Sequence, residues 1–142
     1  MSTTKSNNDN QNNYDYTDME NMKRFVNQHK DTLKSTGSSR SWFVWDGTRW
    51  RYEPHDVTAI QRGFMTIENI DKEASATLDG LKRQELLKWS KSSQNKSKIL
   101  SMISMASKHV DMIVSMADFD KDLHVINCLN GLVDLTNRNL QA

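Results

Sequence analysis

The stretch SWFVWDGTRWRYEP, residues 41–54, carries the clearest local signal for the fold. Tryptophan, phenylalanine, valine and tyrosine favour β-strands, and they stand on both sides of Asp46-Gly47. Asp-Gly favours a tight reversal because both positions tolerate positive φ. The stretch predicts a two-stranded hairpin that Pro54 ends, and an isolated hairpin needs helices to cover at least one face. Alternation divides the side chains of the first strand between the faces: Trp42 and Val44 on one, Phe43 and Trp45 on the other.

Apolar residues recur at helical spacing on both sides of this hairpin. The first helix starts at Thr17-Asp18, where either side chain can cap it, and runs to about residue 30. The stretch KSTGSSR, residues 34–40, is a loop by composition. The second helix, capped by His55 or Asp56, continues to about residue 70. The apolar stripes of these two helices are Met19, Met22, Phe25 and Val26, and Val57, Ile60, Phe64, Ile67 and Ile70.

Two more helices follow a polar stretch, DKEASATLDG. A third helix is predicted over residues 81–90, with Leu86, Leu87 and Trp89 facing inward. A fourth runs from about Asn95 to Ala106. Residues 109–116 fit a short helix or an apolar strand. The run LHVINCLNGLVDL, residues 123–135, predicts two short strands around Asn130-Gly131.

These elements predict an α+β fold. It is mostly helical, with about four helices, an N-terminal Trp-rich hairpin and a short C-terminal β element. Residues 1–16 form an Asn-rich tail that is too polar to fold, so we expect one domain over residues 17–142. Cys128 is the only cysteine, and the chain has neither a membrane-length apolar run nor a secretion signal. We therefore expect a protein of the cytoplasm, without membrane contact.

Four pieces of the sequence, in this order, resemble one known family. They are TDMENMKRFVNQH (residues 17–29), WFVWDGTRWRYE (42–53), LLKWSKSSQNKSKILSMISMA (86–106) and NCLNGLVDLTNRNL (127–140). Together they resemble the N-terminal domain of phage, plasmid and poxvirus primase/helicases, which precedes a superfamily 3 helicase ATPase. The resemblance implies a role in DNA replication in a bacterial host, with DNA and a helicase or primase domain as partners. It leaves the oligomeric state open.

Catalytic motifs are missing from these 142 residues. The five glycines, at positions 37, 47, 63, 80 and 131, cannot form the phosphate-binding loop GxxxxGK[ST], and no primase-type carboxylate motif is found. The four histidines are scattered and show no metal-ligand spacing. Asp118 and Asp120 could bind a divalent ion, although acidic loops of this kind are usually only solvated. We expect no enzyme, no cofactor and no metal.

The candidate DNA contacts are basic residues. Residues 72–108 contain eight basic residues and three acidic ones, a net charge of +5 in a chain whose total is +1. We expect phosphate contacts from Lys88, Lys91, Lys96 and Lys98, helped by serines and by a helix start near Asn95. The alternative is an ordinary solvated helix face. Arg49 and Arg51 in the hairpin are secondary candidates. Its tryptophans could stack unpaired bases, although large aromatics more often belong to the core.

A second function class stays open, which is a protein-interaction or assembly module that does not touch nucleic acid. Met102, Met105, Met112 and Met116 could form an adaptable partner surface, whereas a methionine stripe at helical spacing is more often core. A third reading is a gene remnant that folds without a function.

Overall fold

The computed structural model describes residues 16–115. In this range the chain forms four helices and one three-stranded sheet, which confirms a mostly helical α+β fold. The Asn-rich tail before Tyr16 and the predicted C-terminal strands lie outside the described residues. The elements are α1 (Asp18–His29), β1 (Leu33–Ser35), β2 (Trp42–Trp45), β3 (Trp50–Glu53), α2 (Val57–Ser75), α3 (Gly80–Ser92) and α4 (Lys96–Ala106).

The predicted hairpin is present as β2 and β3, which pair antiparallel with Trp45 opposite Trp50. The sheet has a third strand, however, which the sequence analysis placed partly in a loop. In β1, Leu33 pairs with Val44 and Ser35 with Trp42. This strand is stabilised by distant residues, because its outer edge forms a parallel bridge between Ser35 and Ile113. The segment after α4 is therefore neither a helix nor a regular strand in the described part, but a turn that ends in this bridge.

The register gives the sheet two faces with different side chains. We call the face that packs on the helices the inner face; Leu33, Trp42 and Val44 on it belong to the hydrophobic core. Arg51 alternates onto the inner face as the partner of Val44. The opposite, outer face is aromatic. Its residues are Lys34, Phe43, Trp45, Trp50 and Tyr52.

Side-chain caps fix the starts of three helices where the sequence predicts them. The Thr17 hydroxyl accepts a hydrogen bond from the Glu20 amide, and Asn95 accepts one from the Lys98 amide. Asp79 caps α3, which begins at Gly80, one residue before the predicted start. Asp56 at the start of α2 makes no such bond. Instead, the carboxylate of Glu53 accepts from both the amide and the hydroxyl of Thr58.

The buried face of α2 differs from the predicted stripe. Val57 and Phe64 are exposed, and Phe64 keeps 50% of its surface in solvent. Small residues lie at the contacts instead: a Cβ at Gly63 would be 3.2 Å from Ile103 of α4. Because small side chains let the helices approach closely, the buried stripe is rotated around α2. Its members are Ala59, Gly63, Thr66, Ile67, Ile70 and Ala74.

Single positions on α1 and α3 also depart from the predicted core. Met19 at the start of α1 is exposed, and so is Leu87 of α3, whereas Leu86 is fully buried and Trp89 is half-buried. Adjacent helical residues are about 100° apart, so Leu86 and Leu87 cannot both face the core. The methionines favour the core interpretation, because Met102 and Met112 are fully buried. Met116 lies outside the described residues.

Candidate nucleic-acid interface

Two of the candidate lysines lie together on α3. Lys88 and Lys91 are exposed and about 60° apart around the helix axis, on the side opposite the buried Leu86 and Ser90. Neither side chain forms an ion pair or hydrogen bond with the residues that the structure describes. Their ammonium groups are therefore available to a ligand in solvent.

The two lysines of α4 diverge. Lys96 and Lys98 are about 160° apart around the axis. Lys96 is exposed, whereas Lys98 is half-buried. The Lys98 ammonium is 3.0 Å from the carboxylate of Asp18 in α1. It also lies 4.9 Å from the centre of the Trp89 ring, in a cation–π contact. Lys98 therefore already has two intramolecular partners, whereas Lys96 has none among residues 16–115.

The acidic residues of the basic stretch are occupied elsewhere. Glu73 accepts hydrogen bonds from the Arg24 guanidinium, and Asp79 caps α3. Glu85 hydrogen-bonds the Tyr16 hydroxyl, which raises the pKa of that phenol in addition to the larger effect of burial. No acidic residue lies between Lys88 and Lys98 in sequence. The positive charge of Lys88, Lys91 and Lys96 is therefore not neutralised locally along the chain.

The hairpin tip is a rigid, basic and aromatic corner. The Asp46 carboxylate accepts from the amides of Arg49 and Thr48 and from the Thr48 hydroxyl, each at 2.9 Å. These bonds, led by the Arg49 amide, lower the pKa of Asp46 to about 2. Gly47 has a φ of 102°, as the tight reversal requires. Arg49 is exposed at this tip, and the Trp45 ring packs edge-on against Trp50 with 5.5 Å between the ring centres.

Burial divides the hairpin aromatics. Trp42 and Phe43 are fully buried and Trp50 nearly so, which supports the core interpretation for these three rings. Trp45 keeps 37% of its surface exposed. Arg51 is exposed on the inner face of the sheet, near its edge. The lysines lie on α3 and α4 and the arginines on the hairpin, so the structure does not bring all six predicted residues together on one element.

One known protein family matches most of the sequence. The sequence model described as "D5 N terminal like" matches residues 22–142. The chain belongs to the D5 N-terminal-like family. This result confirms the resemblance to the N-terminal domain of D5-like primase/helicase proteins. No curated protein and no solved structure matched the chain.

The D5 N-terminal-like domain contains a buried polar network that the sequence analysis missed. Arg24 of α1 is 1% exposed and binds Glu73 of α2 through two hydrogen bonds, at 3.0 and 3.1 Å. Its third bond goes to Asn21, whose amide also joins Trp89 and Ser93 at 2.8 and 3.1 Å. Apart from Arg24 and Asn21, which are three residues apart, these partners are 49 to 72 residues apart in sequence, so no local motif marks the network. The network also holds the Trp89 ring, which makes the cation–π contact with Lys98.

A second polar cluster joins α1 to α2 in this D5 N-terminal-like domain. The buried His29 lies 3.0 Å from the Thr66 hydroxyl, which donates to Gln28. The other ring nitrogen of His29 faces the guanidinium of Arg62 at 3.5 Å, and Arg62 also donates to Thr32. Burial, followed by the charge of Arg62, lowers the pKa of His29 to about 4.

Residues 16–115 contain neither a cluster of metal-ligand side chains nor a helix of membrane-spanning character. This range holds no group of three histidine, cysteine or carboxylate side chains arranged to bind a metal ion. None of its helices combines the length and apolar character that crossing a membrane requires. The acidic pair Asp118 and Asp120 lies outside the range.

Proposed function

We propose that this D5 N-terminal-like domain is a non-catalytic accessory domain of DNA replication that binds the DNA backbone and so positions a helicase motor. Family membership supports the association with primase/helicase proteins. The observation that carries DNA contact is the exposed lysine set of α3 and α4. Lys88, Lys91 and Lys96 point to solvent without an anionic partner in the described chain. Such ammonium groups bind phosphates through charge, with little dependence on base sequence.

The start of α4 adds polar groups to this surface. Lys96 is the first residue of the helix, where unpaired backbone amides and the helix dipole favour an anion. The side-chain oxygen of Asn95 accepts hydrogen bonds from the Lys98 amide and the Ser97 hydroxyl. The neighbouring Ser92 and Ser97 are exposed. Lys98 contributes less to this surface than the other three lysines because Asp18 and Trp89 already hold it.

The hairpin tip provides a second contact for unpaired DNA. Arg49 would hold a phosphate, and the exposed part of Trp45 would stack on a base. Arg51 lies near the same edge of the sheet. Phe43 and Trp50 are too deeply buried to take part, so the contact involves one ring.

Fluorescence anisotropy with labelled single-stranded and duplex oligonucleotides tests the proposal. The test variant is Lys88→Gln/Lys91→Gln/Lys96→Gln. If these three lysines each contact one phosphate of single-stranded DNA, the slope of log Kobs against log salt decreases by about 2. The matched control is Lys23→Gln/Lys72→Gln/Lys108→Gln, which changes three exposed lysines elsewhere by the same total charge. An equal loss in both variants, or no binding by the unaltered protein at low salt, would contradict backbone binding at this surface.

A second candidate function is a protein-interaction or assembly module, which the exposed apolar side chains of α2 and α3 favour. Phe64 and Met65 are each about half exposed on α2. Leu78 in the α2–α3 turn is 96% exposed, and Leu81 in the first turn of α3 is 72% exposed. Light scattering of the protein alone, and pull-down with a D5-like helicase or primase domain, test this function. Phe64→Ser/Leu81→Ser should weaken such an association and leave anisotropy with DNA unchanged.

A further inference from the structure

The first described residues of the chain lie against α3 and α4. The centre of the Tyr16 ring is 6.3 Å from that of the Trp89 ring, with 56° between the two planes. Two residues later, the Asp18 carboxylate lies 3.0 Å from the Lys98 ammonium. Lys98 in turn lies over the Trp89 ring. An aromatic side chain and an anion are therefore held together against a tryptophan and a lysine.

One nucleotide of single-stranded DNA carries the same pair of groups. An unpaired base has a flat ring that stacks on tryptophan, and the phosphate beside it pairs with lysine. In a duplex the base is paired and stacked between its neighbours, so only the phosphate is available without breaking the helix. Tyr16 and Asp18 thus supply from within the chain the two groups that an unpaired nucleotide would supply from outside.

The Trp89 ring is held in place independently of Tyr16. Its indole N–H donates to the side chain of Asn21 at 2.8 Å, and Asn21 is 1% exposed. The ring is half-buried and packs against the hydrophobic core. It would therefore keep its position if Tyr16 moved away, and a base would meet a surface that is already formed.

The contacts of Tyr16 and Asp18 are weak enough to be replaced. The Asp18 side chain keeps 47% of its surface in solvent, and ion pairs this exposed contribute about 0–1 kcal/mol. Tyr16 precedes the Thr17 cap of α1, so it can turn away without unwinding the helix. Its hydroxyl would give up the hydrogen bond to Glu85, but that carboxylate is exposed and would be hydrated instead. A DNA strand can therefore compete with both side chains.

We propose that Trp89 and Lys98 form a binding site for one nucleotide of single-stranded DNA, which Tyr16 and Asp18 occupy in the free protein. On binding, the base takes the place of Tyr16 beside Trp89, and the phosphate takes the place of Asp18 on Lys98. The proposal rests on DNA binding by the exposed lysines of α3 and α4, and it adds a preference for unpaired DNA. It also makes residues 16–18 an internal competitor of DNA, so weakening their contacts should strengthen binding.

Anisotropy titrations of the full-length chain with labelled oligothymidylate at low salt test the phosphate part of the site. Asp18→Asn should bind several-fold more tightly than the unaltered protein, because Lys98 loses its intramolecular anion. Asp31→Asn is the matched control, since Asp31 is exposed in the turn after α1, at the opposite end of that helix, and its replacement removes the same charge. In a Lys98→Gln background, Asp18→Asn should change the affinity no more than Asp31→Asn does.

Tyr16→Ala tests the aromatic part of the site. It opens the Trp89 ring to a base, so it should raise the affinity for oligothymidylate several-fold and leave that for a duplex of the same length unchanged. Tryptophan fluorescence gives a second measurement, in a Trp45→Phe background that removes the exposed ring of the hairpin. Saturating oligothymidylate should quench the fluorescence, and Trp89→Phe should remove most of this quenching. Far-UV circular dichroism checks that each variant is folded.

Two results would overturn the proposal. If Asp18→Asn and Asp31→Asn bound oligothymidylate equally well, Asp18 would not compete with DNA for Lys98, and this comparison decides even if Tyr16→Ala does not fold. If a folded Tyr16→Ala variant bound single-stranded and duplex DNA with unchanged affinity, no base would reach Trp89. In either case the triple lysine variant could still lose DNA binding, so the proposed function would stand. Absence of binding by the unaltered protein and by every variant at low salt would contradict both proposals.

Discussion

At the scale of single residues, His29 is the clearest case of a side chain whose charge state the fold determines. The Thr66 hydroxyl donates to Gln28, so His29 must donate its Nε2 proton to Thr66. Its Nδ1 is then an acceptor facing the Arg62 guanidinium. Protonation would place an N–H against a cation in a buried site. The neutral ring is therefore part of the α1–α2 contact.

This arrangement makes stability depend on pH. The folded pKa, about 4, lies below the usual value of 6.5, so the unfolded chain binds the proton more readily. The contribution is complete above pH 6.5 and is lost as the pH falls toward 4. We expect His29 to account for about 2 kcal/mol of lost unfolding free energy between pH 7.5 and pH 5. Urea unfolding of the unaltered protein and of His29→Gln at both pH values measures this loss. If the variant showed the same pH dependence, His29 would not be the group responsible.

The sequence was informative about single residues wherever a local rule applies. The caps Thr17 and Asn95 and the turn at Asp46-Gly47 follow from side-chain chemistry within a few positions. The role of Lys98 does not, because it depends on Asp18, 80 residues earlier. The phosphate contacts of Lys88, Lys91 and Lys96 stay predictions. Their exposure makes these side chains available to a ligand, but it does not identify the ligand.

At the scale of elements, the packing of α2 on α4 depends on Gly63. A Cβ there would lie 3.2 Å from Ile103 Cδ1, 3.3 Å from Ile99 Cγ2 and 3.4 Å from Met102 Cε. The terminal atoms of Ile103 and Met102 can shift slightly, the Ile99 methyl needs only a few tenths of an ångström, and alanine raises helix propensity by about 1 kcal/mol. We therefore expect Gly63→Ala to be close to neutral. Gly63→Leu must displace α4 and should cost about 1–3 kcal/mol or more.

Denaturant unfolding of both Gly63 variants tests the α2–α4 contact. Gly80→Leu is the control, because a Cβ at Gly80, the first residue of α3, meets nothing within 4 Å. If leucine were tolerated equally well at both positions, α2 and α4 would not pack as closely as the structure indicates.

Element boundaries show where prediction from sequence fails. β1 contains a lysine and a serine and is only three residues long, so its composition resembles a loop. It is a strand because β2 and the Ile113 segment pair with it from distant parts of the sequence. Similarly, α2 continues to Ser75 through residues that look polar, because Ile70 and Ala74 are buried. The predicted stripe on α2 was right at Ile67 and Ile70 and wrong at Val57 and Phe64. Alanine and glycine give a weak hydrophobic signal even where they form the closest contacts, so Ala59 and Gly63 were missed.

At the scale of the whole molecule, Asn21 holds three parts of the chain together. Its side chain hydrogen-bonds Arg24 within α1, Trp89 in α3 and Ser93 after it, and Arg24 continues to α2. Asn21→Ala would leave the buried donors of Arg24 and Trp89 short of an acceptor. We expect it to lower the unfolding free energy by about 2–4 kcal/mol.

Chemical denaturation followed by tryptophan fluorescence and by far-UV circular dichroism tests this prediction. Since the network spans three helices, both signals should shift to the same lower midpoint. Gln61→Ala, at an exposed position of α2, should change stability little. A loss below about 0.5 kcal/mol for Asn21→Ala, within the range of ordinary surface substitutions, would show that the network adds little.

The bridge between Ser35 and Ile113 has a consequence for how much of the chain forms one stable unit. A fragment ending with α4 at Ala106 would retain the four helices and three strands that residues 16–115 form. It would nevertheless leave the outer edge of β1 open, with the amide and carbonyl of Ser35 unpaired. An open strand edge is a template on which other chains add. The few residues after α4 therefore protect this strand edge against pairing with other chains.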